Sequence, residues 1–218
     1  MAALIDGHTY DFAGAISFHI YSVESFLGPT MRAYGELAFG YLIFGAALQH
    51  SGGGRFFLDL AYALLGKVRG GPAKVAVVAS GLMGSMSGSV ITNVLTTGVM
   101  TIPAMRRTGL SRAYAGGVET CASTGGVLMP PVMGAVAFIM AHFLSVPYVD
   151  VAIAAAIPSL LYFFGLFVQI DSHSARTGIS GLPRDELPSV GQTLREGWHY
   201  LIAFALLIFM LLILKREV

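Results

Sequence analysis

Between positions 85 and 93 the sequence places Ser85, Ser87, Ser89, Thr92 and Asn93 around Gly88, inside a stretch (72–105) whose only charge is Lys74. Hydroxyl and amide oxygens are hard ligands, suited to a small cation such as sodium. Backbone N–H groups at the start of a half-helix suit a carboxylate. Gly84 and Gly88 also form a small-xxx-small pair, so close helix packing is an alternative reading of the same residues. Thr96 and Thr97 follow and could line a site. Thr101 reads as structural, since a threonine in an apolar helix can bond back to its own turn.

A second polar interruption lies in 113–145, where Ser123-Thr124-Gly125-Gly126 precedes Pro130-Pro131 and Glu119 is the only acid. One reading is an unwound turn whose carbonyls and hydroxyls face the first cluster. The other is a proline kink repaired by neighbouring helices. Glu119 is an acid in an apolar setting and so a candidate for proton or ion coupling. It also lies close enough to Arg112 in sequence to be an interfacial ion-pair partner.

Enzyme chemistry is not expected. The residue between Gly84 and Gly88 that would have to be a nucleophile is Met86, and neither a phosphate loop nor a zinc triad occurs. A net charge of +1 gives no electrostatic case for nucleic acid. The single cysteine, Cys121, excludes an internal disulfide. No tightly bound cofactor is implied. The first thirty residues lack Lys and Arg, so a cleavable signal peptide is not expected.

The elements that must hold these residues are those of a membrane protein. Of 218 residues 55% are hydrophobic and 11% charged, against roughly 25% charged in soluble domains. Unpaired backbone groups in hydrocarbon cost several kcal/mol each, roughly, so two breaks at membrane depth must face protein or a cavity. As helix, 72–85 is about 21 Å long and 90–105 about 24 Å, both short of a core of about 30 Å. A re-entrant helical hairpin over 72–105, with its tip at 84–89, fits better than two spans. Residues 113–145 would be about 50 Å as one helix, too long for a single straight span, which predicts a discontinuous transmembrane helix.

The fold expected is therefore an all-α multi-pass membrane protein in four parts. Residues 1–33 form an exposed or interfacial leader. Residues 34–70 hold a short span and an amphipathic interfacial helix. Residues 71–150 hold the hairpin and the broken helix, and 151–218 hold two spans joined by a polar loop at 171–197. With 113–145 crossing once, ten of the thirteen basic residues fall on one side, which then reads as cytoplasmic. Two crossings there give nine against four, a smaller asymmetry.

Several separated motifs together resemble the large (M-type) permease subunit of tripartite ATP-independent periplasmic (TRAP) transporters, in its TAXI-associated, fused-permease branch. They are residues 69–80 (Arg69-Gly70-Gly71-Pro72-Ala73-Lys74 onward), Ser87-Gly88-Ser89, Asn93-Val94 and Thr96-Thr97-Gly98. Gly116-Gly117-Val118-Glu119, Ser123-Thr124-Gly125-Gly126, Met129-Pro130-Pro131-Val132-Met133-Gly134-Ala135 and residues 181–188 continue the likeness, which covers about 35–214.

The resemblance implies an elevator-type secondary transporter in the bacterial cytoplasmic (inner) membrane. It would take up a small organic acid delivered by a periplasmic solute-binding protein, driven by an ion gradient, usually sodium. It implies Ser85, Ser87, Gly88, Ser123, Thr124, Gly125 and Gly126 as sodium candidates, and Ser89, Asn93, Thr96 and Thr97 as solute candidates. Family permeases have two inverted halves, and this chain resembles one. The remaining permease half and the small membrane subunit are thus expected partners, besides the lipid bilayer. The alternatives are a structural or assembly subunit without transport of its own, and another ion-coupled anion symporter of related architecture.

Overall fold

The structure, a computed structural model, describes residues 11–22, 28, 31, 35 and 39–213. Most of the expected leader, together with Arg32, Glu36, Lys215 and Arg216, lies outside the described residues. Among the described residues the regular structure is helical, without β-strand.

Helix α1 (Phe12–Tyr21) is capped by the Asp11 side chain. Helix α2 (Phe39–Leu48) passes through a π-helical turn, Gln49–Gly53, into α3 (Gly54–Leu65). The pattern of α3 is amphipathic, and its two faces separate accordingly. Phe56, Phe57, Leu58 and Ala61 are buried, while Arg55 and Asp59 pair at 3.8 Å on the outer face. The buried face packs on the fourth and last helices through Met83, Met86, Tyr200 and Phe204.

Helices α4 (Gly71–Ser87) and α5 (Val90–Arg107) form the hairpin. Pro72 sits in the first turn of α4, where its missing N–H costs nothing. Helix α4 stops at Gly88, whose φ of 60° is left-handed. Ser89 then caps α5, its hydroxyl accepting from Thr92 N at 3.3 Å. The tip is thus only Gly88 and Ser89: Gly84 and Ser85, expected at the tip, are helical, because nothing before Gly88 breaks the hydrogen-bond ladder. Arg106 and Arg107 end α5, where cations complement the helix dipole.

Helix α6 (Arg112–Gly126) is capped by Ser111, and α7 (Ala135–Leu144) resumes after a non-helical segment. The interruption of 113–145 is present but shifted. Ser123, Thr124, Gly125 and Gly126 form the last turn of α6, and the non-helical residues are 127–134, including a cis Pro130–Pro131 bond. Glycine is tolerated in a helix when packed against neighbours, whereas two prolines cannot continue one.

Helix α8 (Tyr148–Thr177) has 30 residues, and its most apolar 18-residue stretch has a mean hydropathy of 2.2, long and apolar enough to cross a membrane. It runs through Asp171 to Thr177, beyond the expected start of the polar loop, because Asp171 is paired with Arg69 and Lys74. Helix α9 (Val190–Ile213) likewise starts earlier than expected and kinks at Gly197.

Helix α4 is the centre of the assembly: fourteen of its seventeen residues are buried, ten of them small or β-branched. Ala73, Ala76 and Val77 pack with Met105 of α5, Ala115, Val118 and Ala122 of α6, and Ile170 of α8. A second core joins the 127–134 segment, α7 and the start of α8, where the Phe138 and Tyr148 rings stack at 4.2 Å. Large apolar side chains instead cover the outer faces of α5 and α8, among them Leu95, Val99, Ile157 and Phe164. Such faces need an apolar partner or lipid.

Candidate ion and solute site

The hairpin tip and the helix break lie against each other. Val132 N donates to Ser85 O at 3.1 Å, and a Cβ on Gly88 would stand 2.5 Å from Met133 O. The break is itself braced, since Gly134 N donates to Val127 O at 2.9 Å and the Tyr148 hydroxyl to Pro131 O at 3.0 Å. Further down, α4 and α6 cross backbone to backbone. A Cβ on Gly126 would lie 2.8 Å from Gly84 Cα and 2.6 Å from Ser80 O. Gly84 and Gly126 are therefore packing residues, and only glycine permits this approach.

The sequence-derived candidates fall into two groups. At the rim, Ser87 and Ser89 are half-buried and bond each other locally at 3.4 Å. Thr96 and Thr124 are exposed and bond back to Thr92 O and Thr120 O, pointing away from the helix interface. Ser85 is buried but donates to Leu82 O at 2.8 Å. The carbonyls of Gly125 and Gly126 accept from Leu128 N and Met129 N, so they close the end of α6 rather than opening toward the tip.

The inner group lies between α4, α5 and α6. Asn93 is fully buried; its amide nitrogen donates to Ser80 O at 2.8 Å, and its Oδ1 has no partner. One turn on, the Thr97 hydroxyl bridges Asn93 O and Glu119 Oε1. Another turn on, Thr101 reaches Glu119 Oε2 at 2.5 Å. Ser80 and Ser123 approach Oε1 at 3.3 and 3.4 Å. Glu119 is 0% exposed and is surrounded by hydroxyls. The ion pairs found among the described residues all lie elsewhere, so pairing with Arg112 is not what holds it. Gly98 makes room, since a Cβ there would stand 3.2 Å from Glu119 Cγ.

Ser80, Gly98 and the bonding role of Thr101 were not expected. The signal for Thr101 was there, because Asn93, Thr97 and Thr101 at i, i+4 and i+8 share one helix face, as do Glu119 and Ser123. Ser80 follows an Ala/Val-rich run in α4, and no spacing singles it out. A buried carboxyl can be held neutral, or charged beside a cation; without either, its burial is costly. The inner group thus offers an acid, four hydroxyls and an unpartnered amide oxygen, all hard donors, and holds no cluster of His, Cys or acidic residues of the kind that binds transition metals among the described residues.

An all-helical arrangement among the described residues, with an outward apolar surface, a braced hairpin and a buried polar centre, fits a membrane permease component. Residues 9–218 match the model of the family "Tripartite ATP-independent periplasmic transporter, DctM component", and the chain belongs to that family. Among its relatives is the C4-dicarboxylate TRAP transporter large permease protein DctM of Pseudomonas aeruginosa, 31% identical over 182 residues, covering 80% of this chain and 42% of that protein. The protein of the same name from Vibrio cholerae is 31% identical over 138 residues, 63% of this chain and 30% of its own length. A putative TRAP transporter large permease protein of Haemophilus influenzae is 25% identical over 137 residues, 62% of this chain and 29% of its own. The chain spans less than half the length of the curated relatives it matches.

Proposed function

We propose that this chain supplies one of the two hairpin-bearing halves of a TAXI-type TRAP permease, which imports a small organic acid across the bacterial inner membrane using a sodium gradient. C4-dicarboxylates, named in its relatives, are the first solutes to try. A periplasmic binding protein delivers the solute, and the other permease half and the small membrane subunit complete the machine. In this reading 72–105 is re-entrant and moves with α6 and α7 as an elevator. Ser87 and Gly88 at the tip hold sodium against the facing 127–134 segment. Ser89 at the rim, with Asn93 and Thr97 within, serves the solute side.

The observation that carries the reading is the tip laid on the break above a buried polar centre, with Asn93 Oδ1 left without a partner. A buried acceptor of this kind invites a cation or a donor from a ligand. Glu119 is the group that can answer the ion with charge, or carry a proton with it.

The test is uptake by the assembled complex with its binding protein. Uptake is expected to need sodium and to be lost in Gly88→Val and sharply reduced in Ser87→Ala. Uptake indifferent to sodium and to both substitutions refutes the proposal. The assembly-subunit reading finds support in the Gly84–Gly126 crossing. It predicts instead that tip substitutions change complex yield and leave sodium binding intact.

A further inference from the structure

Helices α4 and α8 do not close on each other along their whole length. Between them lies a groove of about 330 Å³, walled by Val77, Val78 and Gly81 of α4 and by Phe163, Phe164 and Phe167 of α8. Its lining carries no charged side chain. It opens on the outer face of α8, where Phe164 is 67% exposed, on the one described helix that is long and apolar enough to cross a membrane alone.

One turn past the groove on each helix, the lining becomes charged. Lys74 precedes Val77 and Val78 on α4, and Asp171 follows Phe167 on α8. Lys74 Nζ stands 4.9 Å from the Phe167 ring centroid and 2.5 Å from Asp171 Oδ1. The half-exposed Arg69 guanidinium pairs with the same carboxylate. Two cations on one carboxylate leave the end of the groove with net positive charge.

We propose that this groove is a binding site for one anionic phospholipid, an acyl chain lying between α4 and α8 and the phosphate at Arg69. The dimensions suit it. From Lys74 to Leu82 the groove runs about 12 Å along the helix, within one leaflet of a core about 30 Å thick. An acyl chain fills a void that water would not favour, and a planar guanidinium recognises phosphate oxygens. Charge selects the lipid class: a zwitterionic headgroup gains less from a net positive rim. Since α4 is the first arm of the hairpin, the lipid sits against the element that must move in transport. The proposal rests on the membrane setting of the family and not on the sodium or solute assignments.

Native mass spectrometry of the chain extracted in mild detergent tests it, with palmitoyl-oleoyl phosphatidylglycerol and phosphatidylcholine supplied in equal amounts. The wild type should retain one phosphatidylglycerol, preferred by about fivefold, the order expected of one basic residue at the interface. Leu160 of α8 also lines the groove and is exposed; Leu160→Trp, which fills the groove from that wall, should lose that lipid, and Val78→Phe provides a second plug from the opposite side. Arg69→Gln should abolish the preference and Arg69→Lys restore it, with circular dichroism melting to show that each variant is folded. No retained lipid in the wild type, equal retention of the two lipids, or plugged variants that hold phosphatidylglycerol as the wild type does would each overturn the proposal. So would a lipid-free dimer closed over this face. Lipid retention is read without transport, so its outcome is separate from that of the uptake experiment.

Discussion

At the scale of single residues, the chemistry of this chain collects on Glu119. Four hydroxyls from three helices surround a carboxyl that is shut off from solvent. Thr101→Val should leave Oε2 without its partner at nearly constant volume. A buried polar atom left unmatched costs about 1–3 kcal/mol, and a lowered thermal midpoint of the purified protein would report it. Glu119→Gln keeps the shape but replaces one carboxyl oxygen, an acceptor for the surrounding hydroxyls, by an amide nitrogen and removes the charge, so uptake by the assembled complex should fall while the variant still folds. Uptake equal to that of the wild type would remove Glu119 from coupling. The cluster was half legible. Asn93, Thr97, Thr101, Glu119 and Ser123 have helical spacing, but Ser80 joins them only through the crossing of α4 over α6, which no local pattern encodes.

At the scale of elements, the glycines divide by task. Gly84 and Gly126 set the α4–α6 crossing, and Gly88 makes the turn. Gly88→Ala places a Cβ in a left-handed conformation, at about 1–2 kcal/mol, and presses it toward Met133 O. Its main effect should be on hairpin geometry, with lower uptake and a modest loss in melting temperature. Gly84→Val should instead drive α4 from α6 and reduce yield of folded protein outright, measured by size-exclusion recovery. Equal phenotypes for the two would contradict this division. Helix lengths made the hairpin and the broken helix readable in advance. The position of the break was misplaced because Ser123-Thr124-Gly125-Gly126 looks like a breaker until packing is known. The extension of α8 was hidden because the partners of Asp171 lie about a hundred residues away in sequence.

At the scale of the whole molecule, the tip and the break lie against each other, and large apolar side chains stay exposed on the outer faces of α5 and α8. The chain covers less than half of its relatives' length, so the proposed transport is to be tested on the assembled complex. Sodium bound only by the folded complex should raise its melting temperature. At a hundredfold excess over Kd the gain is about 2.7 kcal/mol, and potassium at equal ionic strength should give none of it.

The measurement closest to the central claim is solute uptake into proteoliposomes holding the complete permease and its binding protein, with an inward sodium gradient. Uptake should disappear when potassium replaces sodium and when Gly88 is changed to Val. Uptake that persists under both conditions would contradict that claim.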